Sequence, residues 1–388
     1  MRSQIHILHV VGAMDRGGAE VMLMDIFRNI SSDYKFDFLV NYKIKHGIPK
    51  GDLDEEIINK GATIKYIGTQ WDIGVFSYVK QFKLICNSLN NPPIVHIHLN
   101  AKSGIIAMAA KLAGVKKVIV HSHADLKFRG SFVSRLASTL ELKFQKILIA
   151  LFGDQFWGCS KEANNSLFYP FIQNKDNTRV INNALDVDEF TNVSKLELAS
   201  FKKKLHIQED TLVLGNVGRI VRHKNVGFII DVLHRLKSQH PNFVFVFAGR
   251  VQDEVYMTEI DAKIEKYNLK DHIRYIGLSD NMPLVFNTFD VFLGTALQEG
   301  FGLVAVEAQA AGAYSILYKG FPSLVNMKLN LTKFMPNFEE ELWVNAILNS
   351  LSLNVIPTLK RKQNIIDLGF DSKSNAKKIQ SYYQEMLS

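Results

Sequence analysis

FDVFLGTALQEGFGLVAVEAQAAG, residues 289–312, reads as a strand, a glycine turn and a helix in succession. The run FDVFLGTAL (289–297) is apolar enough for a buried strand, and LVAVEAQAAG has the Ala-rich composition of a helix that Gly312 ends. Between them, Gly300 and Gly302 let backbone approach a ligand closely, and a helix N-terminus offers unpaired N–H groups with roughly half a positive charge. Two carboxylates, Glu299 and Glu307, frame this turn eight positions apart. Glu307 falls about one and a half turns into the helix, where it can accept hydrogen bonds from a diol such as a ribose. Glu299, before the turn, reaches a different polyhydroxyl group. An ordinary strand-to-helix connection with solvent-facing acids has the same local pattern, so the rest of the chain must decide between them.

Outward from this stretch, apolar runs alternate with helical segments along the chain. IHILHVV, FDFLV, TIKYI, IVHIHL, KVIVHSH, QFWGCS and TRVINNA read as strands, with helices near residues 18–30, 103–112 and 131–151 among the segments between them. After NNALDVDEF the pattern restarts with LVLGNVGRI, a helix over 226–239, FVFVFAGR, a helix near 254–268, IRYIGL and FDVFLGTAL. Such alternation predicts an α/β fold with parallel sheets covered on both faces. The restart sets a boundary near residues 185–205. Two doubly wound, Rossmann-like domains would then face a central cleft at the carboxyl ends of their strands.

Composition is consistent with this division. The chain has 388 residues, 47% of them hydrophobic and 22% charged, too many for one ordinary core and too apolar for disorder. Cys86 and Cys159 form neither a metal-ligand spacing nor a disulfide framework, which suits a reducing compartment. No uninterrupted apolar run reaches the 18 or so residues of a spanning helix. IHILHVVGAM resembles a signal-peptide core, but His6 and His9 interrupt it and DRGGAE follows, so it reads as the first buried strand. Residues 1–186 carry a net charge of +7 and residues 187–388 only +1. Between Lys102 and Lys146, nine cations, Lys127 and Arg129 among them, face Asp125 and Glu141 alone. This segment fits an anionic membrane surface, and equally a merely solvated basic face. No aromatic stacking set or nucleic-acid motif accompanies it, so no nucleic-acid partner is expected.

Several motifs fall at strand ends. GAMDRGGAE (12–20) opens a helix with Gly17 and Gly18, in the manner of a phosphate cradle or a tight turn, without the dinucleotide G-x-G-x-x-G spacing. GNVGRIVRHKN (215–225) places Arg219 and Lys224 where two cations can hold a diphosphate, and Arg222 is read as solvated. VHSHAD (120–125) ends a strand, with His121 and His123 expected on opposite sides and one of them toward a ligand. His96 and His98 repeat the arrangement one strand earlier. H-x-H also suggests metal, but no third and fourth ligand appears at zinc spacing. The Asp-x-Asp strings at 52–54 and 186–188 lie in a polar turn and in the interdomain stretch, where neither makes a persuasive cation site.

GGAE, VHSHAD, VGRIVRHKN and EGFGLVAVEAQAAG, in this order and spacing, resemble the retaining glycosyltransferases of family four, which have the two-domain GT-B fold. More narrowly, they resemble its bacterial exopolysaccharide and capsule type. The similarity spans essentially the whole chain, ending with LGFDSKSNAKKIQSYYQEML, which looks like the closing helix that returns to the N-terminal domain. The resemblance implies an acceptor-binding domain over 1–186, a donor-binding domain over 187–365 and a returning segment over 366–388. It implies that Arg219 and Lys224 bind the donor diphosphate and that Glu307 holds the ribose. Glu299, with the Phe301, Gly302 and Leu303 backbone, would position the transferred sugar. His123 would face that sugar, with His121 the weaker candidate, and Gly17 and Gly18 would lie at the acceptor and phosphate side. No metal or other cofactor is implied. The partners would be a UDP- or GDP-sugar and a saccharide or lipid-linked oligosaccharide acceptor, in the cytoplasm or at the inner face of the plasma membrane. AYSILYKGFPSLVN after Gly312 and AGRVQDE after FVFVF depart from the family pattern, which leaves the donor sugar and base open. A nucleotide-sugar epimerase of similar fold and a noncatalytic nucleotide-sugar-binding module remain the alternatives.

Overall fold

The computed structural model describes residues 4–15, 17–124, 126 and 132–387. Arg16, Asp125, Lys127 and Arg129 of the motifs above lie outside the described residues. The chain divides into two compact units, Met1–Ala184 with Ser372–Ser388, and Leu185–Asp371.

The first unit holds β1 (Ile5–Val11), β2 (Tyr34–Tyr42), β3 (Ile64–Gly68), β4 (Ile94–Ile97), β5 (Lys117–Ser122), β6 (Gln155–Gly158) and β7 (Thr178–Val180). They form one sheet in the order β3-β2-β1-β4-β5-β6-β7, with every neighbouring pair parallel. Parallel strands joined by helical crossovers are covered on both faces, which is why they read as continuous apolar runs. Leu8, Val10, Val95, Ile97, Val118 and Val120 enter one core with Phe82, Ile106 and Ile149. Their neighbours Ile7, Val11, Ile94 and Ile119 enter the other, with Met22, Leu23 and Ile26 of the helix Gly18–Asn29. The helix Ser372–Leu387 completes that second core through Ile379 and Tyr383, each burial stabilising by about 1.5–3 kcal/mol. Tyr383 stacks on Trp157 at 5.8 Å, and Tyr34 Oη donates to the Gln380 carbonyl over 2.9 Å.

The second unit holds β8 (Leu212–Val217), β9 (Phe243–Ala248), β10 (Ile273–Tyr275), β11 (Val291–Gly294), β12 (Tyr314–Tyr318) and β13 (Thr332–Met335). Their order is β10-β9-β8-β11-β12-β13, again all parallel. Leu214, Phe245, Phe247, Leu293 and Ile316 face one core with Ile229 and Trp343, while Val213, Val246, Phe292 and Leu317 face the other with Ala305 and Ala310. The ends of β8 and β9 nearly touch, since a Cβ on Gly249 would sit 1.9 Å from the Gly218 carbonyl oxygen. Both sheets are therefore doubly wound parallel α/β sheets. Among the described residues no helix is long and apolar enough to cross a membrane.

Candidate active site

In the second unit the strand order reverses between β8 and β11: the chain proceeds outward from β8 to β9 and β10, and outward on the other side from β11 to β12 and β13. The loops leaving the carboxyl ends of two such strands diverge and leave a crevice. The loop after β8 passes Gly218 and Arg219, makes a tight turn over Arg222–Lys224, and enters the helix Val226–Gln239 through Asn225 in the left-handed conformation (φ 57°, ψ 38°). The loop after β11 is fastened to it. Thr295 Oγ1 donates to the Lys224 carbonyl over 2.9 Å, and the Leu297 N–H donates to the His223 carbonyl over 2.8 Å.

That fastening sets Lys224 Nζ in an ion pair with Glu299 Oε1, two side chains only 17% and 13% exposed. The sequence gives these residues separate tasks, on the phosphates and on the sugar; the structure joins them. A Lys ammonium carries three donors, so pairing with one carboxylate oxygen leaves two for another anion. Glu299 is itself held, its N–H donating to the Gly320 carbonyl over 3.0 Å. Next to it Gly302 stands at φ 81° and ψ 47° as the N-terminal boundary of the helix Leu303–Ala311, with no side-chain cap. A Cβ there would lie 2.6 Å from Phe321 Cδ1, so this position is reserved for glycine by both its dihedral and its space. The uncapped N–H groups of the following turn suit phosphate oxygens. Glu307 is half-buried one turn further on. The Phe301 side chain is core, 5% exposed and stacked on Phe370 at 5.5 Å, so only its backbone belongs to the loop.

Arg219 is exposed, and its Nη1 donates to Gln252 Oε1 over 3.1 Å. Arg222 is not simply solvated. Both its Nη atoms bond Glu259, at 2.7 and 2.6 Å, and its guanidinium lies 5.3 Å above the Tyr256 ring. Its planar fork is used up in holding the turn Arg222–Lys224 to the helix Glu254–Lys266.

The first unit has the matching reversal between β1 and β4. Gly17 precedes the helix Gly18–Asn29 in an ordinary extended conformation (φ −86°, ψ 163°). At Gly17 the Glu20 carboxylate fills the space a side chain would take, since a Cβ there would lie 2.3 Å from Glu20 Oε2, whereas a Cβ on Gly18 would approach Asn183 Nδ2 at an ordinary 3.7 Å. Beside this turn the sheet and its strand ends carry five histidines on one face, His9, His96, His98 and His121 buried and His123 half-buried. His121 and His123 do not point to opposite sides. Residues two apart in a strand share a face, and their rings stack at 4.1 Å. His98 Nδ1 lies 2.9 Å from His123 Nε2, and His98 Nε2 lies 3.0 Å from His9 Nδ1, which makes a three-ring chain across β5, β4 and β1. A second chain runs from Tyr383 Oη to His96 Nδ1 at 2.8 Å, and from His96 Nε2 to His121 Nδ1 at 3.2 Å.

Burial pushes all five imidazoles down, His9 and His123 to about 3, and neighbouring histidines depress His96, His98 and His121 further. They are neutral at pH 7. A neutral imidazole has one donor and one acceptor nitrogen, so in the chain His9–His98–His123 each ring dictates the tautomer of the next. At its end His123 Nδ1 has no hydrogen-bond partner. The array therefore offers a directional hydrogen-bonding group rather than a cation. The structure also corrects the metal reading in one respect: His9 supplies the third ligand that the H-x-H spacing lacks. Nitrogens of His9, His96 and His98, and of His98, His121 and His123, lie within 4.8 Å of one another. Three ring-to-ring hydrogen bonds use some of the cluster's nitrogens, while His9 Nε2, His121 Nε2 and His123 Nδ1 have no partner among the described residues. The two Asp-x-Asp strings serve local structure: Asp54 accepts from the Gly51 N–H, Asp186 caps the helix Val187–Thr191, and Asp188 pairs with Lys362.

His9 and Tyr383 are the residues that motif reading does not single out. His9 leaves one visible signal, a polar break in the buried part of its strand, Ile7–Val11. Tyr383 leaves none, since its partner is 287 positions away.

Residues 199–364 match the family described as glycosyl transferases group 1. The chain is 27% identical to the putative glycosyltransferase EpsF of Bacillus subtilis, over 98% of this chain and 97% of that one. It is 26% identical to the capsular polysaccharide biosynthesis glycosyltransferase CapH of Staphylococcus aureus, over 78% of each. It is also 26% identical to the UDP-Gal:α-D-GlcNAc-diphosphoundecaprenol α-1,3-galactosyltransferase of Escherichia coli, over 76% of each. Among solved structures, Anabaena HepE in complex with UDP superposes with a TM-score of 0.79 at 18% identity, covering 98% of this chain and all of that one.

Proposed function

We propose that this chain, a member of the group 1 glycosyltransferases (family four) with the GT-B fold, moves a sugar with retained anomeric configuration from a nucleotide sugar to a lipid-linked saccharide in cell-surface polysaccharide synthesis. The observation that carries this reading is the Lys224–Glu299 pair, set beside the uncapped helix at Gly302 where the second sheet reverses. Support for the donor comes from the E. coli relative named for UDP-Gal and from HepE crystallised with UDP. Support for the acceptor comes from the diphosphoundecaprenol in that relative's name, and for the setting from CapH.

In this reading the acceptor hydroxyl attacks the anomeric carbon, the bond from that carbon to the β-phosphate oxygen breaks, and the hydroxyl proton passes to the departing phosphate. No side chain becomes covalently attached. Lys224, Arg219 and the N–H groups after Gly302 stabilise the charge that develops on the diphosphate, which is where preorganised donors accelerate a reaction. Glu299 orients Lys224 and contacts the sugar with the 301–303 backbone, while Glu307 holds the ribose. His123, as a neutral donor or acceptor, bonds a sugar hydroxyl, and Gly17 and Gly18 leave room for substrate. Neither metal nor other cofactor takes part. The enzyme works at the inner face of the plasma membrane.

The test is incubation of the protein with a panel of UDP- and GDP-sugars, with and without a membrane lipid extract, following nucleotide and glycolipid by mass spectrometry. The reading expects nucleotide release coupled to a lipid product heavier by one sugar. Isomerised donor with no lipid product would assign the chain to the epimerases instead.

A further inference from the structure

The helix Phe132–Phe152 has two apolar faces where a surface helix has one. Its inner face is accounted for: Ile149 is in the core of the first unit, Leu142 and Phe152 pack against that core, and Gln145 approaches so closely that a Cβ on Gly104 would sit 2.5 Å from its carbonyl oxygen. On the opposite side Leu136, Leu140, Phe144, Ile147 and Leu151 are between 49% and 69% exposed. Spacings of four, four, three and four put these five within an arc of about 80°. They make one continuous stripe along the helix rather than scattered surface residues. Arg135 and Lys143 are exposed on the same helix, and Lys102 is exposed on the turn Asn100–Lys102 that packs against it. The one carboxylate on the helix is Glu141.

We propose that the Leu136–Leu151 stripe of this helix is a membrane-docking face that inserts shallowly into an anionic lipid surface. An apolar stripe with Lys143 at its edge, and further exposed cations on the same helix and the turn packed on it, matches the acyl boundary and the phosphate headgroups respectively, and such helices lie in the interface plane rather than crossing it. The occupant follows from the charge: a soluble protein partner needs no particular sign, whereas the exposed cations here complement an anionic bilayer. Docking would hold the first unit at the surface from which a lipid-linked acceptor presents itself, and to that extent it deepens the proposed function.

The experiment is co-sedimentation of the whole protein with vesicles of phosphatidylcholine alone or with phosphatidylglycerol added. Each variant is also assayed for sugar transfer to a detergent-solubilised acceptor and run in sedimentation velocity. Wild type should sediment with the anionic vesicles and not with the neutral ones. Lys143→Ala should weaken that binding about fivefold, the effect of one charge near the surface. The double change Leu140→Glu with Phe144→Glu, at exposed positions that leave the fold intact, should abolish binding while transfer in detergent is retained. Wild type that ignores anionic vesicles, or a double variant that still binds them, overturns the proposal. So does a wild-type dimer that the double variant dissolves, which would assign the stripe to a second copy of the chain. Vesicle binding without transfer in detergent would leave the docking face standing and overturn the proposed function alone.

Discussion

The two units share one topology and fill the point of strand reversal with opposite chemistry. In the first, that point is lined by neutral rings: five histidines, four buried and His123 half-buried, bonded to one another and to a tyrosine, with desolvation holding them uncharged. In the second it is lined by charges, Lys224 against Glu299 with exposed Arg219 close by in sequence, beside a helix N-terminus. A parallel sheet dictates where loops diverge and leaves open which groups they carry. A diphosphate needs compensating charge, and the Lys224 ammonium in the second unit is a group of that kind. Neutral rings give directional donors and acceptors instead, through tautomers that neighbouring rings dictate.

The largest effect should come from removing the charge that distinguishes the second unit. Lys224→Ala is expected to lower kcat about 10²- to 10³-fold, as loss of one preorganised donor does, with far-ultraviolet circular dichroism unchanged. It also leaves Glu299 without its cation, so adding Glu299→Gln should recover thermal stability and not turnover.

Acid should then separate the units. A histidine whose folded pKa is lowered contributes stability that is fully present above its unfolded value of 6.5 and is lost as pH falls through that value toward the folded one. For His9 and His123, at about 3 in the fold, the window runs from 6.5 down to 3, and each costs about 1.4 kcal/mol by pH 5.5. Hydrogen exchange at pH 5.5 against pH 7.5 should show the first unit opening more readily while the second is little changed. Equal acid loosening of both units would remove the contrast.

Smaller effects sharpen it. Tyr383→Phe deletes the hydroxyl that meets His96 Nδ1 and should cost about 1 kcal/mol in urea unfolding, the net worth of one hydrogen bond. Arg222→Ala, three residues from Arg219 but spent on Glu259, should leave kcat within about twofold of wild type, because exposed ion pairs contribute little. Dialysis against a strong chelator should leave transfer unchanged, whereas loss restored by a divalent ion would make the histidine triplets or the Asp-x-Asp strings metal sites after all.

What was legible in the sequence was local. The strand–glycine–helix reading of 289–312 corresponds to β11, Gly302 in its left-handed conformation and a helix ended at Gly312, because each step depends on neighbours within a few positions. The helices over 103–112 and 226–239 have those limits in the structure for the same reason. Pairings across the sheet were not legible. Lys224 meets Glu299 over 75 positions and His98 meets His9 over 89, and no periodicity encodes which strand lies beside which. The shared side of His121 and His123 follows from the two-residue repeat of a strand, against the expectation of opposite sides. The burial of Phe301 was concealed by the glycines around it, which suggest an open loop and say nothing of the Phe370 ring that covers its side chain.

The central claim is that the Lys224 side of the second sheet receives the leaving diphosphate. Isothermal titration of UDP and GDP into wild type and into Lys224→Ala tests it most directly, since the product diphosphate carries the charge the site is built to hold. The account predicts that one of the two nucleotides binds wild type and that the variant binds it at least about tenfold more weakly, the minimum for losing a charge-assisted bond of about 1.5–3 kcal/mol. Equal affinity of both proteins for that nucleotide would contradict it.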